Sequence, residues 1–162
     1  MTTKVILSGP KESGKTQLFN ALVGREFCED YKPTGAPSSA SGERSGLKLS
    51  VWDAAGGSKH VGMLQAFAKA NAHVLLVVFD LSAAIDAEDL RVFFEKLGSC
   101  LPPQAAKILV GNKSDLQGKR VDEGEARLLA EKEGFAYAEV SAKSGQGIDE
   151  LMGQVIKLLK YD

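Results

Sequence analysis

The sequence predicts an α/β fold, with a mainly parallel central sheet, one antiparallel strand, and helices on both faces. Two observations lead there. Short apolar runs of strand length alternate with longer amphipathic stretches, the pattern of strands joined by crossover helices. In addition, Leu47-Lys48-Leu49-Ser50-Val51-Trp52 alternates apolar and polar residues behind a turn-rich stretch, which marks a short antiparallel hairpin near a sheet edge. At 162 residues and 44% hydrophobic, the chain suits one domain, 1–162, with a proper core.

Taken in order, Val5-Ile6-Leu7 has the continuous apolar character of a fully buried parallel strand and runs directly into Gly9. Leu18, Phe19, Leu22 and Val23 follow at helical spacing, so a loop from Gly9 joins strand to helix. Gly35 to Gly46, rich in Ser, Gly, Ala and Pro, is expected to be mobile and to lead into the hairpin. Further strands are expected at Val74 to Leu81, Ile108 to Gly111 and Ala136 to Val140. Phe93, Phe94 and Leu97 form the core stripe of one intervening helix. Asp122, with Glu125 three residues on, caps the start of another, which Gly134 ends. The last helix places Ile148, Leu151, Met152, Val155, Ile156 and Leu159 on one face. An open α/β sheet binds ligands beyond the carboxyl ends of its strands, so the loops after Leu7, Trp52, Val110 and Val140 are expected at one rim.

Composition narrows the functional classes. With 20 basic and 21 acidic residues, the net charge of -1 gives no electrostatic footprint for nucleic acid or an anionic membrane. Cys28 and Cys100 lack metal-ligand spacing and read as ordinary thiols in a reducing, cytoplasmic setting. No apolar run approaches the ~18 residues of a membrane span, and no signal peptide precedes the first strand. Thr2 excludes myristoylation and the final residues carry no prenylatable cysteine, so membranes are expected to be reached only peripherally, through partners.

The rim loops hold the chemistry. Gly9-Pro10-Lys11-Glu12-Ser13-Gly14-Lys15-Thr16 satisfies G-x-x-x-x-G-K-[ST], in which backbone N–H groups wrap the α- and β-phosphates of a nucleotide. Lys15 reaches the β/γ-phosphate oxygens and the Thr16 hydroxyl is a hard ligand for Mg²⁺. Lys11, Glu12, Ser13 and Gln17 complete the expected nucleotide contacts in and beside this loop. Asn112-Lys113-Ser114-Asp115 and Ser141-Ala142-Lys143 follow later strands and select the base. The Asp115 carboxylate matches the N1–H and N2 amine of guanine, and a backbone N–H near Ala142 matches O6. Adenine would leave the carboxylate unpaired, a mismatch able to reject a base by about 10⁴-fold. Lys113 lays its stem against the base, Asn112 ties this loop to the phosphate loop, and Leu116 adjoins the base site.

With these motifs in this order, the chain resembles the Ras superfamily of small GTPases, nearest its Rab-like and Ras-like branches, over essentially all 162 residues. Gly9 to Thr16, Thr34 inside Phe27 to Thr34, Asp53-Ala54-Ala55-Gly56, Asn112 to Asp115, and Ser141 to Lys143 carry the resemblance. It implies a P-loop NTPase G domain, a monomer that binds GTP or GDP with Mg²⁺, hydrolyses GTP and acts as a molecular switch. It also implies that Phe27 packs edge-on against the base and Tyr31 covers the phosphates. Thr34 would ligate Mg²⁺ only with GTP, Asp53 would hold it through water, and Gly56 would donate its N–H to the γ-phosphate. Effectors, exchange factors and activating proteins would contact residues near Thr34 and from Gly57 to Phe67.

The departures concern catalysis. Gly57 stands where the family has the glutamine that orients the attacking water, so hydrolysis is expected to be slow without a partner. Lys11 replaces a small residue and is a candidate for neutralising γ-phosphate charge in cis. His60 reads as an exposed contact residue, and His73 has no assigned role. Gly35-Ala36-Pro37 makes the segment after Thr34 atypical. The alternative to a switch is a GTP-loaded scaffold that hardly hydrolyses. A phosphate-loop kinase or ATPase is disfavoured by Asn112 to Asp115.

Overall fold

A computed structural model describes residues 2–10, 12–24, 38–53, 65, 72–84, 87–116 and 121–159. In chain order the elements are β1 (Thr2–Ser8), α1 (Lys15–Leu22), β2 (Ser38–Arg44), β3 (Leu47–Asp53), β4 (Val74–Asp80), α2 (Ala87–Gly98), β5 (Ala106–Asn112), α3 (Glu123–Lys132), β6 (Ala136–Glu139) and α4 (Ile148–Leu158). The strands form a six-stranded sheet in the order β2-β3-β1-β4-β5-β6. Every pairing is parallel except β2 with β3. The mainly parallel sheet with one antiparallel strand is therefore present. Because β3 lies on one flank of β1 and β4 on the other, the topology reverses at β1, and the crevice for a ligand opens at its carboxyl end.

Strand alternation sends β4 into two cores at once. Val74, Leu76 and Val78 pack with Leu18, Phe19 and Leu22 of α1 and with Leu151, Met152 and Val155 of α4. Leu75, Val77 and Phe79 pack on the opposite face with Leu90, Phe93, Phe94 and Leu97 of α2 and with Ala126 and Ala130 of α3. Each of the larger side chains gains about 1.5–3 kcal/mol from burial. Asp122 caps α3 by accepting from the Gly124 N–H at 3.3 Å.

Three expectations change. Gly35 to Gly46 was expected to be mobile, yet Ser38–Arg44 is a seven-residue edge strand paired along the whole of β3. Its small residues have weak strand propensity, and tertiary ties supply what propensity does not. A Cβ on Gly42 would lie 2.7 Å from Val23 Cα and 2.9 Å from Val23 O, so only glycine lets β2 pass the end of α1. Arg44 donates to Ala21 O at 3.0 Å and pairs with Asp149 at 3.4 Å. Ile156 is 44% exposed rather than in the core. At 3.6 residues per turn it lies about 80° from Ile148, whereas the buried residues of α4 lie within about 60°. Finally, β3 and β5 run on to include Asp53 and Asn112, which seats both side chains on rigid strand ends.

Candidate nucleotide-binding site

The loop after β1 forms a cup built on two close backbone approaches. A Cβ on Gly14 (φ 89°) would collide with Asn112 Nδ2, and one on Gly9 with Val78 O. Gly14 is also the N-cap of α1, with no side-chain cap, and the first helical turn holds no acidic residue. The positive end of the helix therefore faces the cup unopposed, an arrangement that favours an anion.

Inside the cup Lys15 is buried at 5% exposure. Its Nζ donates to Pro10 O at 2.7 Å and reaches Ser13 Oγ at 3.5 Å, both neutral acceptors. Burial lowers its pKa to about 8, against the opposing pull of the Asp53 charge. Register places Asp53 beside Leu7. Burial raises the Asp53 pKa, while the Thr16 hydroxyl and Lys15 hold it down. Thr16 Oγ1 donates to Asp53 Oδ2 at 2.8 Å, and Asp53 Oδ1 is buried with no hydrogen-bond partner among the described residues. A buried carboxylate oxygen without a donor, next to a hydroxyl, is a hard-oxygen set that suits Mg²⁺ and its water.

Asn112 joins three loops. Its Nδ2 donates to Ser13 O at 3.0 Å, and its Oδ1 accepts from the Ala142 N–H at 3.1 Å. Thus the tie from Asn112 to the phosphate loop is present, and a second tie reaches the Ser141 loop. Ser141 Oγ donates to Asp115 Oδ1 at 2.7 Å and accepts from the Ser144 N–H at 3.0 Å. Lys113, at φ 66°, donates from Nζ to Glu12 O at 2.9 Å.

A family model described as the Ras family matches residues 4–161. The chain belongs to the Ras family. The Ras-related protein RABA6b of Arabidopsis thaliana is 30% identical over 165 residues, spanning 96% of this chain and 72% of that protein. Rab5 of Nicotiana tabacum is 28% identical over 164 residues, spanning 98% and 82%. The GTP-binding protein ypt5 of Schizosaccharomyces pombe is 28% identical over 167 residues, spanning 98% and 78%. This Ras-family chain is accordingly a small GTP-binding switch protein of the Rab-like branch, with the GTPase activity of its family.

Of the Ras-family site residues expected from sequence, Gly9, Glu12, Ser13, Gly14, Lys15, Thr16, Gln17, Asp53, Asn112, Lys113, Asp115, Leu116, Ser141, Ala142 and Lys143 are described, and all lie in or beside loops at the carboxyl rim. Lys11, Phe27, Tyr31, Thr34, Gly56, Gly57 and His60 lie outside the described residues. Gln65 donates to Lys96 O at 3.0 Å, so its amide is engaged with α2.

A fifth rim loop escaped the sequence reading. Asp80 ends β4 beside Asn112 and accepts from Lys113 Nζ at 2.8 Å, from the Ser82 N–H at 2.8 Å and from Ser82 Oγ at 2.6 Å. Burial would raise the Asp80 pKa, but these bonds and the Lys113 charge lower it on balance. The available signal was a charge closing an otherwise apolar run, Val74 to Phe79. Asp80 fixes the Lys113 ammonium over the phosphate loop, so Asp80→Asn is expected to speed GDP release roughly tenfold, read by stopped-flow loss of a fluorescent GDP.

Proposed function

We propose that this chain binds Mg²⁺-GTP at the carboxyl rim and signals through partner proteins, with intrinsic hydrolysis slow. The observation that carries the proposal is the buried Lys15 ammonium, held among the described residues by neutral acceptors alone at an uncapped helix start, beside an Asp53 oxygen with no donor among those residues. A phosphate group would replace those weak acceptors with a full counter-charge.

Lys15 and the backbone N–H groups from Ser13 to Thr16 would cradle the phosphates, while Lys11, Glu12 and Gln17 flank them. Thr16, Thr34 and, through water, Asp53 would hold Mg²⁺, which supplies charge neutralisation at the β- and γ-phosphates. Asp115 would accept from guanine N1–H and N2. Guanine O6 would share or take the Ala142 N–H that Asn112 Oδ1 now accepts. Lys113 and Leu116 would line the base, with Phe27 edge-on and Tyr31 over the phosphates. Gly56 would bind the γ-phosphate through its N–H, so the segments around Thr34 and from Gly57 to Phe67 would change on its loss and be read by effectors and regulators.

Hydrolysis needs water held in line with the γ-phosphate. Gly57 has no side chain to hold it, which favours slow intrinsic turnover or a GTP-loaded scaffold. Single-turnover hydrolysis of preloaded GTP tests this reading: Gly57→Gln is expected to accelerate turnover roughly tenfold or more. Equal rates in the two proteins would show that another group already positions the water.

A further inference from the structure

A cavity lies at the pole opposite the nucleotide loops. A space of about 890 Å³ opens at the amino ends of β1, β4 and β5 and includes Lys4, His73 and Lys107 in its wall. That volume lies within the range of ~300–1,000 Å³ usual for ligand sites. Strand alternation puts these three residues on one sheet face, in line with Ile6, Leu75 and Leu109 of a single core.

The charged side chains of the wall are both cationic, and Lys107 Nζ also lies over the Phe135 ring, 5.4 Å from its centroid, a contact that leaves its charge without a counter-ion. The Lys4 N–H donates to His73 Nδ1 at 2.9 Å, which makes Nδ1 an acceptor and leaves the ring's proton on Nε2. Lys4 and Lys107 have no ion pair among the described residues, and no described acidic side chain lines the space. Two backbone carbonyls beside the lysine and the histidine are already engaged: Lys4 O accepts from the His73 N–H and His73 O from the Ala106 N–H, each at 2.9 Å. An anionic occupant is what this donor set lacks.

The kind of anion follows from what is missing. A phosphate is usually cradled by backbone N–H groups, as at the opposite pole. Here the N–H groups of Lys4, His73, Ala105 and Ala106 are all spent within the fold, and Pro102 and Pro103 offer none. The two lysines instead sit two strands apart, with backbones separated by roughly 10–12 Å. In a peptide extended as a polyproline II helix, acidic residues three positions apart share one face and are separated by roughly 9 Å, and the alanine, proline and leucine walls suit the residues between. We propose that this cavity docks an extended acidic segment of a partner protein. Because it lies at the other end of the strands from the γ-phosphate site, docking is independent of the bound nucleotide.

The test is fluorescence anisotropy with a labelled Glu-Pro-Ala-Glu-Pro-Ala-Glu peptide, using the chain loaded with GDP or with a non-hydrolysable GTP analogue. Expected are saturable, salt-sensitive binding of equal affinity in both states and a roughly tenfold or greater loss in Lys4→Gln/Lys107→Gln, with GDP retention unchanged. A second variant, Lys4→Glu/Lys107→Glu, should instead bind the corresponding Lys-Pro-Ala peptide. No binding by the wild-type chain, binding indifferent to both variants, or binding that follows the nucleotide would each overturn the proposal. So would lysine-dependent retention on phosphatidylserine vesicles without peptide binding, which would make the occupant a membrane.

Discussion

Replacing Lys15 by Met is expected to lower affinity for GDP and GTP by at least about 10²–10³-fold, or roughly 3–4 kcal/mol, because a buried charge-assisted contact to phosphate is lost. The nucleotide-free protein should respond differently. Burial lowers the Lys15 pKa from 10.5 to about 8, against the opposing charge of Asp53. Between those values the unfolded chain keeps a proton that the folded chain has released, so stability rises as pH increases through the window. Tyr137 limits its upper end. Burial, followed by its hydrogen bond to Glu139, raises the Tyr137 pKa above 10.0, so the unfolded phenol ionises first and stability falls beyond about pH 10. Chemical denaturation of the nucleotide-free wild type should thus show a gain of about 2 kcal/mol from pH 8 to 10. Lys15→Met should lack that gain. Unchanged nucleotide affinity in the variant, or the same pH rise, would remove Lys15 from its assigned place.

Asn112→Ala is the second large expectation. The side chain is 2% exposed and holds Ser13 O and the Ala142 N–H, so its loss strands an acceptor on one loop and a donor on another. Each stranded group costs about 1–3 kcal/mol. Thermal stability should fall accordingly, and GDP should dissociate roughly 100-fold faster, since the phosphate and base loops lose their shared brace. Gly14→Ala should damage the same brace, because its Cβ would meet Asn112 Nδ2. The two substitutions should consequently be non-additive, with an interaction of about 0.5–3 kcal/mol in a double-mutant cycle. Strict additivity would mean that they act through separate contacts.

Legibility in the sequence followed chemical constraint. Gly9 to Thr16 and Asn112 to Asp115 stand out because phosphate and guanine contacts restrict both residue type and spacing. The buried strands were equally plain, since Val74 to Phe79 is apolar on both faces. Strand β2 was legible as the partner in the expected hairpin but not in its extent, because Ser, Ala and Gly lack strand propensity and are held by the Val23 approach at Gly42 and the reach of Arg44, contacts between distant parts of the chain. Asp80 was hidden for another reason. An aspartate at a strand end serves many local roles, and only the approach of Lys113, 33 residues on, gives it a place in the site. Ile156 fell on the shoulder of its stripe, where spacing alone decides little.

One rim is expected to select guanine nucleotide and to hold it with Mg²⁺. Displacement of a fluorescent GDP from the purified chain by unlabelled nucleotides, with and without a chelator, tests it most directly. GTP and GDP should displace the probe at least about 10⁴-fold more effectively than ATP, and chelation should hasten its release. Displacement by ATP at concentrations comparable with GTP would rule out guanine selection at this rim, and release indifferent to the chelator would rule out Mg²⁺ there.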